Sequence, residues 1–187
     1  MQKQMQKGII IGIIVAVFII ISVVSYNGLA ACRETVDEKA SIIDVQLARR
    51  GDLVGNLVES VKGYAAHETE IFTAVSEARA KLAGAATTEE KSAANDETTG
   101  ALSRLLAVTE SYPDLKADTN FRQLSDELAG TENRIAVARI DFNNAVAEYN
   151  KKIVALPGVI FARLMGWEKL AYFEAPEASK ESPRISF

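Results

Sequence analysis

The 187-residue chain holds a single Cys, a single His and a single Trp, with only four Pro and 11 Gly. One Cys forbids an internal disulfide framework, and one His with one Cys excludes a zinc site built from several such ligands. So few Pro and Gly rule out a collagen-like or Pro/Gly-rich disordered chain. A basic excess is missing as well: 21 Lys and Arg stand against 25 Asp and Glu, a net charge of -4. Phosphate recognition needs a basic stripe, so no nucleic-acid partner is expected. No G-x-S-x-G, P-loop or G-x-G-x-x-G pattern occurs. The Glu-x-x-His pairs of a di-metal carboxylate bundle are absent too. No cofactor, no metal and no catalytic residue are therefore assigned.

What the chain has is one long apolar run. Gly8 to Val24 contains eight Ile, four Val and one Phe, and no charged residue occurs from Gly8 through Cys32. A helix over residues 8–32 is roughly 36 Å long, enough to cross a ~30 Å hydrocarbon core. β-Branched residues are poor helix formers in water, but in lipid every backbone group must bond internally, so helix wins. Tyr26 falls where an interfacial aromatic is expected. Leu29-Ala30-Ala31-Cys32 has the form of a lipobox. The apolar run exceeds the 7–15 residues of a cleaved signal, however, so a retained anchor is expected. Lys3 and Lys7 on one side, and Arg33, Lys39, Arg49 and Arg50 on the other, divide the positive-inside signal. Signal-anchor usage places the N-terminus in the cytoplasm and the domain on the outer side. Gly8, Gly12 and Ala16 lie four apart, the spacing of a small-residue helix-packing face.

Beyond the anchor the periodicity is helical as far as about Ala155. Phe121, Leu124, Leu128, Thr131, Ile135, Ala138, Phe142, Ala145 and Tyr149 alternate spacings of three and four, a heptad seam that keeps one face against partner helices. Asp118 is its expected N-cap, and Pro157-Gly158 its end. An earlier seam runs through Val54, Leu57, Val61, Tyr64, Ile71 or Phe72, Val75 and Leu82, closed by Gly84. Thr87 with Glu90 has the capping-box spacing, and the helix they open stops before Pro113. Gly51 and Gly55 either break the first long helix or only kink it. The class is all-α: a transmembrane helix followed by an antiparallel bundle of long helices. The organisation reads as a basic tail over 1–7, a transmembrane helix over 8–32, a bundle over 33–167 and a flexible tail over 168–187.

The polar residues give no reaction. Glu132 and Asp141 share the last long helix with Arg134 and Arg139, a pattern usual for solvated helix surface. His67 has no second His or nearby Cys to make a ligand set. Glu132, Asn133, Arg134, Asn143, Asn144 and Asn150 are dense for one helix, and Asn is a weak helix former. They read as interhelical register fixers. After Pro157-Gly158 come Val159, Ile160, Phe161, Leu164, Met165 and Trp167, with Arg163 and Lys169 between and after them. If the bundle returns its chain to the bilayer there, Phe161, Arg163 and Trp167 are placed for interface contact.

Several stretches together resemble the LemA family. They are Ser25-Tyr26-Asn27-Gly28-Leu29, Ile43-Asp44-Val45-Gln46-Leu47-Ala48-Arg49-Arg50 and Asn56-Leu57-Val58-Glu59-Ser60-Val61-Lys62-Gly63-Tyr64. Also matching are residues 101–108, Tyr112-Pro113-Asp114-Leu115-Lys116-Ala117, residues 130–139, Tyr149-Asn150, Pro157-Gly158 and the closing Ser186-Phe187. Two departures stand out: Gly51-Asp52-Leu53-Val54-Gly55 replaces a Tyr-Asp-Leu-Ile-Pro run, and Ala40-Ser41 stands where a Trp is usual. The resemblance implies a bacterial membrane protein with one N-terminal membrane helix, a helical domain and no catalytic residue to carry over. The expected role is a membrane-anchored scaffold or protein-interaction protein, self-associating as a homo-oligomer, with the lipid bilayer and an unidentified protein as partners. A ligand-sensing module or accessory factor is the alternative, and an enzyme using surface carboxylates comes third.

Overall fold

The computed structural model describes residues 2–65 and 67–173, except for the side chains of residues 2–5. Six helices and no strand occur among them: α1 (Gln2–Lys62), α2 (Thr69–Gly84), α3 (Thr88–Thr109), α4 (Pro113–Ala117), α5 (Thr119–Val154) and α6 (Gly158–Met165). The chain divides into two compact units. Among the described residues, an anchor unit takes those up to Lys39 and Asn143–Ala171; a domain unit takes Ala40–Phe142 with Tyr172 and Phe173.

The anchor unit contains the one helical stretch long and apolar enough to cross a membrane among the described residues. Its Ile, Val and Phe side chains between Ile9 and Val24 stand open, Phe18 at 69% exposure. In water that surface would be prohibitive; in hydrocarbon it is the favourable solvent contact. Beyond it, Leu29, Val36, Val146, Tyr149, Ile153 and Ala162 are the buried apolar residues of this unit. Residues 168–173 do not behave as the loose tail expected over 168–187. Asn150 donates from Nδ2 to the Leu170 carbonyl at 2.8 Å and accepts from the Leu170 amide at 2.9 Å, holding the segment like a strand partner. The rest of that tail, including the Ser186-Phe187 match, lies outside the described residues.

In the domain unit, α1 continues unbroken through Gly51 and Gly55. Each glycine costs a helix about 1 kcal/mol against Ala. Leu53, Val54, Leu57, Val58 and Val61, all buried, outweigh that by packing. Gly55 also leaves room for the Arg79 guanidinium from α2, whose carbon would come within 3.2 Å of an added Cβ. The break comes later. The Val54–Leu82 seam is shared by two helices, because α1 ends at Lys62 and the chain turns through Gly63, Tyr64 and Ala65. Tyr64, expected in the seam, is exposed at this corner, and Val61 O accepts from both Tyr64 N and Ala65 N to close α1.

The remaining boundaries follow local chemistry. Thr87 Oγ1 accepts from Glu90 N at 3.1 Å while the Glu90 carboxylate accepts from the Thr87 and Ala86 amides, a complete capping box. α3 stops before Pro113, which opens α4 at its first position. Asp118 Oδ1 accepts from Phe121 N at 2.9 Å and caps α5. Along α5, Phe121, Leu128, Ile135, Phe142 and Tyr149 are buried and Leu124 half-buried. The domain core joins Leu57, Val61, Val75, Leu105, Leu115 and Phe121 in one cluster.

Candidate functional site

Among the described residues, several charges are drawn inward in the domain unit, across α1, α3 and α5. Arg50 of α1 is only 4% exposed. Its Nη1 donates to Asn95 Oδ1 and pairs with Glu132 Oε2, and its Nη2 donates to Thr99 Oγ1 at 2.9 Å. Two helical turns past Glu132, Arg139 stands 3.9 Å from Asp96 and 4.5 Å above the buried Phe173 ring. Burial lowers the pKa of both guanidinium groups, and the Glu132 and Asp96 carboxylates oppose that shift. Both arginines remain charged at any working pH.

Two arginines against two carboxylates balance. The group offers directional links between three helices. A polar residue at a core position can fix register at some cost in stability. Among the described residues no three His, Cys, Asp or Glu are grouped to hold a metal ion.

The sequence pattern singled out Glu132 and Arg139, gave Arg50 only as a charge flanking the apolar run and did not single out Asn95 or Asp96. A signal was available. Leu29, Val36, Ile43, Arg50 and Leu57 recur every seven residues, so Arg50 occupies a core position of an otherwise apolar string. Asn95, Thr98, Leu102, Leu105 and Thr109 alternate three and four, which puts Asn95 in the α3 core. Of the other residues singled out, Asp141 and His67 are exposed and do not join Glu132. Asn150 bonds the Leu170 backbone, whereas Asn133, Arg134 and Asn144 face outward. Gly8, Gly12 and Ala16 are exposed along the apolar span, and a Cβ added at Gly8 or Gly12 would meet nothing within 4 Å.

The anchor unit has a second cluster just past the apolar run. Trp167 stacks on Tyr26, ring centroids 6.1 Å apart, and the Arg33 guanidinium lies 5.3 Å from the centre of the indole. Six residues beyond Tyr26, Cys32 Sγ accepts from Lys152 Nζ at 2.9 Å. That contact, with the Glu148 carboxylate at 3.2 Å, raises the Lys152 pKa. Burial likewise raises the Tyr149 phenol, with the nearby Arg33 charge acting against it. Phe161 is half-buried and Arg163 exposed.

An exposed apolar stretch long enough to cross a membrane, carried on the same helix as a domain whose inward charges pair with one another, marks a helical protein with a candidate membrane span. The sequence pattern of the LemA family matches residues 39–187, and the chain belongs to that family. Among curated relatives, Magnetosome protein MamQ of Magnetospirillum gryphiswaldense is 28% identical over 90% of this chain and 71% of its own length. Magnetosome protein MamQ 2 of Paramagnetospirillum magneticum is 29% identical over 92% of this chain and 72% of its own. Protein LemA of Metamycoplasma hominis is 25% identical over 89% of this chain and 76% of its own.

Proposed function

We propose that the chain is a membrane-anchored helical scaffold that self-associates through its anchor and presents the helical domain, on the outer side of the membrane, to a protein partner. The observation that carries this reading is the span itself: α1 exposes its apolar side chains from Ile9 to Val24 and runs on into the domain without a linker. The domain's inward charges are engaged with one another across α1, α3 and α5, which favours a structural role for them over a chemical one.

Self-association draws its support from Gly8, Gly12 and Ala16, whose spacing lets a second helix backbone approach closely. In detergent and in nanodiscs, the full-length protein should sediment as an oligomer. Gly12→Ile, which holds the helices apart, should shift it toward the monomer. An assembly unchanged by that substitution would remove the small-residue face from the proposal, and a monomeric wild type would remove self-association altogether.

A further inference from the structure

α6 leaves an apolar face with no partner among the described residues. Gly158 and Ala162 are buried, yet Ile160, Leu164 and Met165 stand open, as does Leu156 just ahead of the helix. Leu156 and Leu164 are 78% and 74% exposed, more than any large apolar side chain between Ile9 and Val24. Arg163 and Lys169 flank the face with positive charge.

The chain on either side of α6, Lys152 at the end of α5 and Trp167 just past α6, is tied to a short stretch of α1. On entry, Lys152 touches Cys32; on exit, Gly166 adopts the left-handed conformation and Trp167 N donates to Ala162 O at 2.8 Å, delivering the indole to Tyr26. Tyr26 and Cys32 are about 9 Å apart along a helix axis. The corner between α5 and α6 is tight enough that a Cβ at Gly158 would fall on the Lys152 carbonyl oxygen. The chain between these two ties is therefore held in the layer directly above the Ile/Val run, which ends two residues before Tyr26. That thickness matches the zone in which an amphipathic helix lies at a bilayer surface, with aromatics at the headgroups and an Arg reaching for them.

We propose that α6 is a second membrane contact, its Leu156, Ile160, Leu164 and Met165 face lying in the interfacial layer of the leaflet from which α1 emerges. The inference rests on α1 spanning the bilayer, and the test separates the two. Single-cysteine variants Ile20→Cys, Ile160→Cys and Leu164→Cys of the full-length chain, in a Cys32→Ser background, are spin-labelled and reconstituted into phosphatidylcholine/phosphatidylglycerol vesicles. Collision with oxygen, which concentrates in lipid, is compared with collision with a water-soluble nickel chelate.

The expected result is oxygen-dominated collision at 160 and 164, as at 20, with helicity equal to that of the unlabelled protein. Chelate-dominated collision at 160 and 164, with position 20 still oxygen-dominated, overturns the α6 contact and leaves the anchor standing. Chelate access at position 20 overturns both. Low collision with both reagents at 160 and 164, varying with protein-to-lipid ratio, means that a second copy covers the face, and it also overturns the proposal.

Discussion

Replacing Glu132 with Gln removes one charge and almost no volume, so it isolates the electrostatic half of the Arg50 pair. Arg50 is desolvated at 4% exposure, and Glu132 is the strongest attraction set against that desolvation. Breaking a fully buried pair by removing one partner costs about 3–5 kcal/mol. The Glu132 side chain is 44% exposed, so solvent already screens part of the attraction. Asn95 and Thr99 also keep their bonds to the guanidinium. An expected loss of about 1–3 kcal/mol follows. For a chain of this length that lowers the melting temperature by roughly 3–10 °C. Thermal unfolding of the full-length protein in detergent, followed by far-UV circular dichroism, reads it. Asp141→Asn, an exposed carboxylate on the same helix, is the control and should move stability by less than about 0.5 kcal/mol. Arg50→Met leaves the Asn95 carbonyl without its donor and should cost about 1–3 kcal/mol. In the double variant Arg50→Met, Glu132→Gln, the loss should fall short of the sum of the singles, since each removes the same pair. Strict additivity, or a melting temperature for Glu132→Gln equal to that of wild type, would refute the claim that this pair links α1 to α5.

Phe142→Ala should destabilise by about 3–5 kcal/mol, because the ring is buried and meets Phe173 edge-on with centroids 6.5 Å apart; an unchanged melt would mean that this face of α5 is not core. Gly158→Ala should cost about 1–3 kcal/mol through overpacking at the Lys152 carbonyl. It should also loosen the Trp167–Tyr26 stack, read as a red shift and greater iodide quenching of the single Trp; unaltered fluorescence would show that the corner does not position Trp167.

Local information carried far along α5 and poorly across the turns. The Phe121-to-Tyr149 spacing is a property of one helix, so it is legible without knowing what lies opposite. Thr87 with Glu90 and Asp118 ahead of Phe121 are equally local, since each cap closes on atoms three residues away. The Val54–Leu82 seam misled because apolar spacing persists across the Gly63–Ala65 turn: α1 and α2 both bury the residues that continue it. Arg50 carried a signal in its seven-residue string, yet a lone Arg in a heptad position does not announce its acceptors.

The sequence by itself determined the all-α class, the membrane-competent run of Ile and Val, and the helix caps. These depend on composition and on contacts within one turn of helix, so they are legible without knowing what packs opposite. Only the tertiary structure decided that Gly51 and Gly55 leave α1 unbroken, because the balance between glycine's entropy and the burial of Leu53, Val54 and Leu57 is set by α2 and α3 packed against them. It alone brought Asn95 and Glu132 to Arg50, partners from two other helices whose register no local pattern specifies. It alone returned Trp167 to Tyr26, which stacks the residue after α6 on the ring just past the Ile/Val run. A charge or an aromatic ring takes its role from what surrounds it, and those surroundings are assembled only when separate helices pack.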